Sequence, residues 1–308
     1  MNTATETFDV VVVGAGPAGL MAAMQAKRQG LTVALFERDR PGGQALAANW
    51  IENFPGIPEG IRGMDLMQRF VDQVKAHGVE IRREKVMNIS LPPHPDPLPQ
   101  GERGHTLESF LIKTDKSEIK STAVIIAVGM IPKRLDIPGE NELWGKHIFA
   151  YDDPNEIDCR GKQIVVIGSG DAAFDQALNF SRLANEVTIA MRSTKASCAP
   201  ILLERVKKAK IRILEGHDAE SVAQDKSGLL IEFKNGEKLA ADIVIECIGK
   251  ERNFKFIDPD LLDKKVPGMF FAGDCHRNLD RHISIACGDG TAAAMEAHDY
   301  IIKLRAKN

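Results

Sequence analysis

Two glycine-rich stretches hold the residues most able to do chemistry. GAGPAG (14–19) and GSGDAA (168–173) each follow a run of apolar residues that reads as a buried strand. In the first, Gly14, Gly16 and Gly19 form G-x-G-x-x-G. The first glycine suits a tight turn, the second lets a pyrophosphate approach the backbone, and the third lets helix and strand pack closely. Amides at the helix N-terminus then face the phosphates. Glu37 follows Gly14 by 23 positions, where the next strand ends. A carboxylate there accepts hydrogen bonds from ribose hydroxyls. The pattern predicts a dinucleotide site built from Gly14, Gly16, Pro17, Ala18, Gly19 and Glu37. The second stretch has Gly168, Gly170 and Ala173, but the position equivalent to Glu37 is Met191, followed by Arg192. An arginine at this corner can accommodate a 2′-phosphate. Gly168, Gly170, Asp171, Ala172 and Arg192 form the expected second site.

Thiol chemistry has a weaker footing. The five cysteines are Cys159, Cys198, Cys247, Cys275 and Cys287, and no two stand at C-x-x-C spacing. An odd, irregular set argues against a disulfide framework and against structural zinc, so no metal is expected. A reducing cytoplasm fits best.

The elements that must position these groups follow from the same text. Two strand–turn–helix–strand units some 150 residues apart predict an α/β protein with two Rossmann-like three-layer domains. AVIIAV (123–128), DIVIEC (242–247) and GMFFAG (268–273) add buried strands, and the first two run into glycines that suit crossings between domains. A final helix is expected over about 288–306. LPPHPDPLPQGERGH (91–105) holds five of the fifteen prolines and reads as an exposed insertion between two strands. The net charge of −3 gives no reason to expect nucleic acid, and no apolar run is long enough to span a membrane. The N-terminus lacks a basic region and reads as a strand, not a signal peptide.

Residues 41–67 carry Gly42-Gly43-Gln44 and Glu52-Asn53-Phe54-Pro55-Gly56, and 268–294 carry Ala272-Gly273-Asp274 and Arg281-His282 before a glycine- and alanine-rich run. These blocks resemble those of low-molecular-weight thioredoxin reductases, flavoproteins of the pyridine nucleotide-disulfide oxidoreductase superfamily. The resemblance covers nearly the whole chain except the proline-rich stretch. It implies FAD in the first site and NADPH or NADH in the second. Asp274 would then hold the ribityl chain, and Gly273, Arg281, His282 and Ile283 would meet the flavin. Gly43, Gln44, Asn53, Val86, Ala127 and Gly129 would complete the site. It also implies a homodimer, an FAD domain of residues 1–131 plus 248–308 and a nicotinamide-nucleotide domain of residues 132–247, hinged near Pro132 and Gly249.

The departures from that pattern matter most. The family's redox cysteines lie 17 and 14 positions before the second glycine loop, and Tyr151 and Pro154 stand there. Of the family's H-R-R-x-x-x-R, only Arg192 survives, with Lys195 nearby. His282 replaces a glutamine and is a candidate proton relay or flavin hydrogen-bonding group. Three readings follow. One passes electrons from NAD(P)H through FAD to ferredoxin or flavodoxin, as in thioredoxin reductase-like ferredoxin–NADP reductases, whose D-P-x-x-x-x-G-K lead-in is matched in part by Asp153-Pro154 and Gly161-Lys162 across a longer gap. The second is a disulfide reductase acting on a thioredoxin-like protein through Cys159, Cys275, Cys287 or the substrate's own cysteine. The third is a flavin-binding redox sensor without fast turnover.

Overall fold

A computed structural model describes residues 5–91, 109–150, 157–225, 228–263, 266–277 and 281–307. The first half runs β1 (Glu6–Val13), α1 (Pro17–Arg28), β2 (Val33–Glu37), α2 (Gly63–Ala76), β3 (Ile81–Arg83), β4 (Val86–Ser90), β5 (Phe110–Thr114) and β6 (Glu118–Ile126). There follow β7 (Ile131–Pro132), α3 (Glu140–Leu143), β8 (Ile148–Phe149), β9 (Gln163–Ile167), α4 (Asp171–Phe180), β10 (Glu186–Met191), α5 (Pro200–Lys208) and β11 (Arg212–Glu215). The remainder is β12 (Ala219–Asp225), β13 (Gly228–Phe233), β14 (Lys238–Ala241), β15 (Ile243–Glu246), β16 (Lys250–Glu251), α6 (Pro259–Asp263), β17 (Met269–Phe271) and α7 (Ile283–Arg305).

The α/β class and the two Rossmann-like three-layer units are borne out. The first sheet has the order β3-β2-β1-β6-β5-β4, and β17 pairs with the C-terminal half of β6. Its centre is parallel and its β4–β5 hairpin antiparallel. The apolar run of β1 is continuous because both faces of the strand are covered. Val10 and Val12 join the layer of α1, α2 and α7, while Val11 and Val13 pack with Phe36, Phe110 and Ile112 on the other face. The second sheet, β11-β10-β9-β15-β8, is parallel. Ile164 and Val166 face Phe174 and Phe180 of α4. Val165 and Ile167 face Leu229, Ile231 and Phe233 of a three-stranded antiparallel sheet, β12-β13-β14. The two passages between the sheets lie side by side, with β7 and β16 antiparallel, Pro132 opposite Lys250, and the Lys133 amide donating to the Gly249 carbonyl at 3.0 Å.

One helix differs from expectation. α7 begins at Ile283, not near Gly288, so Gly288 and Gly290 lie inside it. Glycine is a weak helix former, but Gly290 is needed where it stands. A Cβ there would lie 2.1 Å from the Ala18 carbonyl oxygen, so its absence lets α7 lie against α1. Most of the proline-rich stretch, including 92–105, lies outside the described residues. Among those described, no helix is long and apolar enough to cross a membrane.

Candidate functional site

A cleft of about 720 Å³ opens at the C-terminal ends of β1, β2 and β6. The three glycines of the first loop do different work there. Gly14 has φ +99°, and a Cβ would meet the Ala127 carbonyl oxygen at 2.5 Å, so only glycine turns here. A Cβ on Gly19 would lie 1.7 Å from the Gly14 oxygen, which closes the helix onto the loop. Gly16 faces open space, its nearest neighbour being the Gly43 Cα at 4.0 Å from a built Cβ. Pro17 and Ala18 begin α1 and line the cleft with it. The Glu37 carboxylate also lines it, accepting the Ala15 amide at 2.8 Å and the Asp39 amide at 3.0 Å. Each oxygen keeps a further lone pair for a donor such as a ribose hydroxyl.

Val86, Ala127 and Gly129 line the cleft, as do Gly43 and Gln44. The Gln44 amide donates to the Met130 carbonyl at 2.5 Å, while its Oε1 is buried with no hydrogen-bond partner among the described residues. An orphan acceptor of this kind fits a bound donor. Asp274, Arg281, His282 and Ile283 line the end formed by α7. Burial pushes the Asp274 carboxyl up, and the charges of Lys250 and Arg281 oppose that rise. His282 is the N-cap residue of α7 and is exposed, with Asn53 Nδ2 3.5 Å from its Nδ1. Unpaired amides of the first helical turn carry partial positive charge. Gly19, Asn53 and Gly273 do not line the cleft. Gly273 backs it, since a Cβ there would meet the Ala18 Cβ at 2.8 Å. Lys250, Asn253 and Lys255 line it as well, and no motif in the sequence points to them.

The second glycine loop repeats the first in outline. Gly168 has φ +151°, and a Cβ would lie 2.3 Å from the Cys247 oxygen. Gly170 is the N-cap residue of α4 and is nearly open, 3.8 Å from Ser197 Oγ. Ala172 sits in the first turn of α4. The Asp171 carboxylate accepts the Ala199 amide at 2.6 Å, tying the 193–199 loop over the helix start. Met191 is fully buried and Arg192 exposed. These residues lie away from the first cleft.

A family model for pyridine nucleotide-disulphide oxidoreductases matches residues 8–290. The chain belongs to this family. It is 32% identical to a thioredoxin reductase of Treponema pallidum over 97% of this chain and 98% of that one. A crystal structure of Lactococcus lactis thioredoxin reductase in its FR conformation superposes with a TM-score of 0.82 at 29% identity, covering 96% and 99% of the two chains. A ferredoxin-flavin thioredoxin reductase from Clostridium acetobutylicum gives a TM-score of 0.50 at 25% identity, covering 98% and 100%. The cofactors of this oxidoreductase are FAD and a pyridine nucleotide. The open approach at Gly16 and the orphan Gln44 Oε1 fit FAD in the first cleft.

The five cysteines of the oxidoreductase form no disulfide among the described residues. The Cys275 thiol donates to the Ile126 and Ala272 carbonyls, each at 3.3 Å. Burial pushes it up to about 11 and Cys287 up to about 12. Burial likewise raises Cys159 and Cys198. Thiols so placed are poor nucleophiles at neutral pH. Tyr151, Asp152, Asp153 and Pro154 lie outside the described residues, but Ala150, immediately before them, lines the cleft.

A polar seam joins α4 and α5 to the segment after Gln44. The Gln176 amide donates to the Ala47 carbonyl at 3.1 Å, and Arg182 donates to Asn49 Oδ1 at 3.0 Å. Arg205 pairs with Glu52 at 2.7 Å. Asp175 Oδ2 accepts the Asn49 amide at 3.0 Å, and burial raises this carboxyl to about 6. Separating the units would return Asp175 to water and to an ordinary carboxylate value near 3.9. The joined arrangement therefore binds the proton more tightly, and the seam weakens as pH rises from about 4 through 6. Hydrogen exchange at the Asn49 amide should lose protection over that range beyond the intrinsic pH trend, and Asp175→Asn should remove the excess.

Proposed function

We propose that this oxidoreductase carries electrons from NAD(P)H through FAD to a small redox protein, ferredoxin or flavodoxin, without a dithiol of its own. The observation that carries this reading is chemical. Tyr151 and Pro154 stand 17 and 14 positions before Gly168, where the resemblance puts the family's reactive cysteines, and burial holds the Cys275 thiol and the half-buried Cys287 thiol protonated. The likeness to a ferredoxin-flavin thioredoxin reductase supports ferredoxin as a class of redox partner for a chain of this build. Bound FAD supplies the hydride chemistry and stores two electrons. The chain's own groups bind and orient it. Gly16 admits the pyrophosphate, Glu37 takes the ribose, Asp274 takes the ribityl hydroxyls, and the N-terminus of α7 with Arg281, His282 and Ile283 faces the ring. His282, exposed at that helix start, is the group placed to move a proton. Around the second loop, Gly168, Gly170, Asp171 and Ala172 hold the nicotinamide nucleotide. Arg192 alone addresses a 2′-phosphate, so NADPH is favoured over NADH only modestly.

The FAD domain in this reading comprises 1–131 and 248–308, the nucleotide domain 132–247, with hinges at Pro132 and Gly249. The pairing of β7 with β16 supports the two crossings at those points. The assembly is a cytoplasmic homodimer. The likeness to thioredoxin reductases favours a second reading, reduction of a disulfide on a thioredoxin-like partner. Anaerobic addition of NADPH or NADH should bleach the flavin absorbance, and the variant with all five cysteines changed to serine should keep its turnover with ferredoxin. Absence of bleaching with either nucleotide would falsify both readings. Selective loss of disulfide reduction in the cysteine-free variant would establish the second.

A further inference from the structure

We propose that Lys250 tunes the redox centre: its ammonium, carried into the flavin cleft by β16 beside Asp274 and Arg281, favours the reduced cofactor and raises its reduction potential. The inference deepens the functional reading and rests on FAD occupying this cleft.

Position comes first. Lys250 lines the cleft and is half-buried. Its backbone is fixed by pairing with Pro132 across β7 and β16, directly after the Gly249 turn, which has φ +113°. The same end of the cleft is lined by Met130, Ile131, Pro132 and Ala150. These residues sit where the chain passes between the two domains. A flavin ring that receives electrons from a nucleotide on the other domain must lie at that end, because hydride transfer needs near-contact. Lys250 therefore stands at the redox end, whereas Glu37 and Arg38 line the ribose end.

Charge follows. Burial disfavours the Lys250 ammonium, the Asp274 carboxylate supports it, and Arg281 opposes it. Two cations thus meet one carboxylate at this end, and a partly desolvated charge acts more strongly than one in water. NAD(P)H gives up a hydride, two electrons with one proton, and leaves as NAD(P)⁺. The electrons add negative charge at the ring, and Lys250 faces that charge already oriented.

The test compares the parent holoprotein with K250M and K250R. Each is equilibrated anaerobically with a reference dye to read the flavin midpoint potential. FAD affinity is read from flavin fluorescence. K250M should retain FAD and shift the two-electron equilibrium about tenfold toward oxidised flavin, which is about 30 mV. K250R should stay within about threefold of the parent, because it keeps the charge. A K250M potential equal to the parent's overturns the proposal, as does a K250R shift as large as that of K250M. K250Q is carried in parallel. Loss of FAD from both neutral variants in folded protein also overturns it, since Lys250 would then bind rather than tune. A parent chain that fails to bind FAD defeats the functional reading itself, and that result is seen before any variant is made.

Discussion

Gly16→Val should leave the fold intact and abolish FAD binding. Gly16 has φ −73° and ψ −176°, an extended conformation that valine adopts without strain. A Cβ there meets nothing closer than the Gly43 Cα at 4.0 Å, so the side chain enters the space where a pyrophosphate would lie. The helix loses a favourable N-cap glycine, a cost of about 1 kcal/mol or less. FAD affinity should fall by more than about 100-fold, close to 2.8 kcal/mol. Thermal denaturation checks this directly. Added FAD should raise the parent's Tm by mass action and leave that of the variant unmoved. Gly19→Ala provides the contrast. Its Cβ would lie 1.7 Å from a backbone oxygen that cannot move away, so this variant should be insoluble or severely destabilised. A G16V protein purified with its flavin would remove the first loop from the cofactor site.

Glu246→Gln should flatten the pH dependence of stability between pH 5 and 8. Glu246 is fully buried at the end of β15 and Glu140 almost fully buried in α3. The Arg134 guanidinium pairs with Glu140 and stacks 3.7 Å above the Trp144 ring, leaving Glu246 as the carboxyl that holds the proton. Burial, and then the Glu140 charge, raises Glu246 to about 8. The folded state thus binds a proton that the unfolded chain has released above about 4.5. Stability from this group is complete below the unfolded value and is lost as pH climbs through 8. The slope is at most about 1.4 kcal/mol per pH unit, or roughly 2–3 kcal/mol between pH 6 and 8. Glutamine keeps the neutral shape and an acceptor for the Leu135 amide, which donates to Glu246 Oε2 at 3.3 Å. Urea unfolding at pH 6 and pH 8 should show the parent weakening while E246Q stays level. Equal slopes in the two proteins would mean that Glu246 is not the proton holder.

Both predictions depend on facts of different origin. The role of Gly16 is legible in the chain text, because a tight turn, a phosphate approach and a helix start are consecutive residues. The Glu246 pair is not. DIVIEC reads as a buried strand, and nothing local says that its glutamate meets a carboxylate more than a hundred positions earlier. The start of α7 is hidden in the sequence for a related reason. Gly288 and Gly290 look like a turn until α1 is laid against them, and then Gly290 is the residue that permits contact with Ala18. Lys250 was visible only as the residue after a crossing glycine, and its place in the cleft depends on the pairing of β7 with β16.

The sequence alone determined the α/β class, the two glycine loops, the carboxylate of Glu37 at the end of the second strand and the absence of a C-x-x-C pair. Each is a local pattern, set by residue type and spacing within some twenty positions. Only the tertiary structure decided which charges share the cleft beside the first glycine loop, which carboxyls share a proton and which side chains join the two halves of the fold. Those depend on desolvation and on contacts between residues far apart in the chain, and hydrophobic periodicity records that a residue is buried without recording what it is buried against.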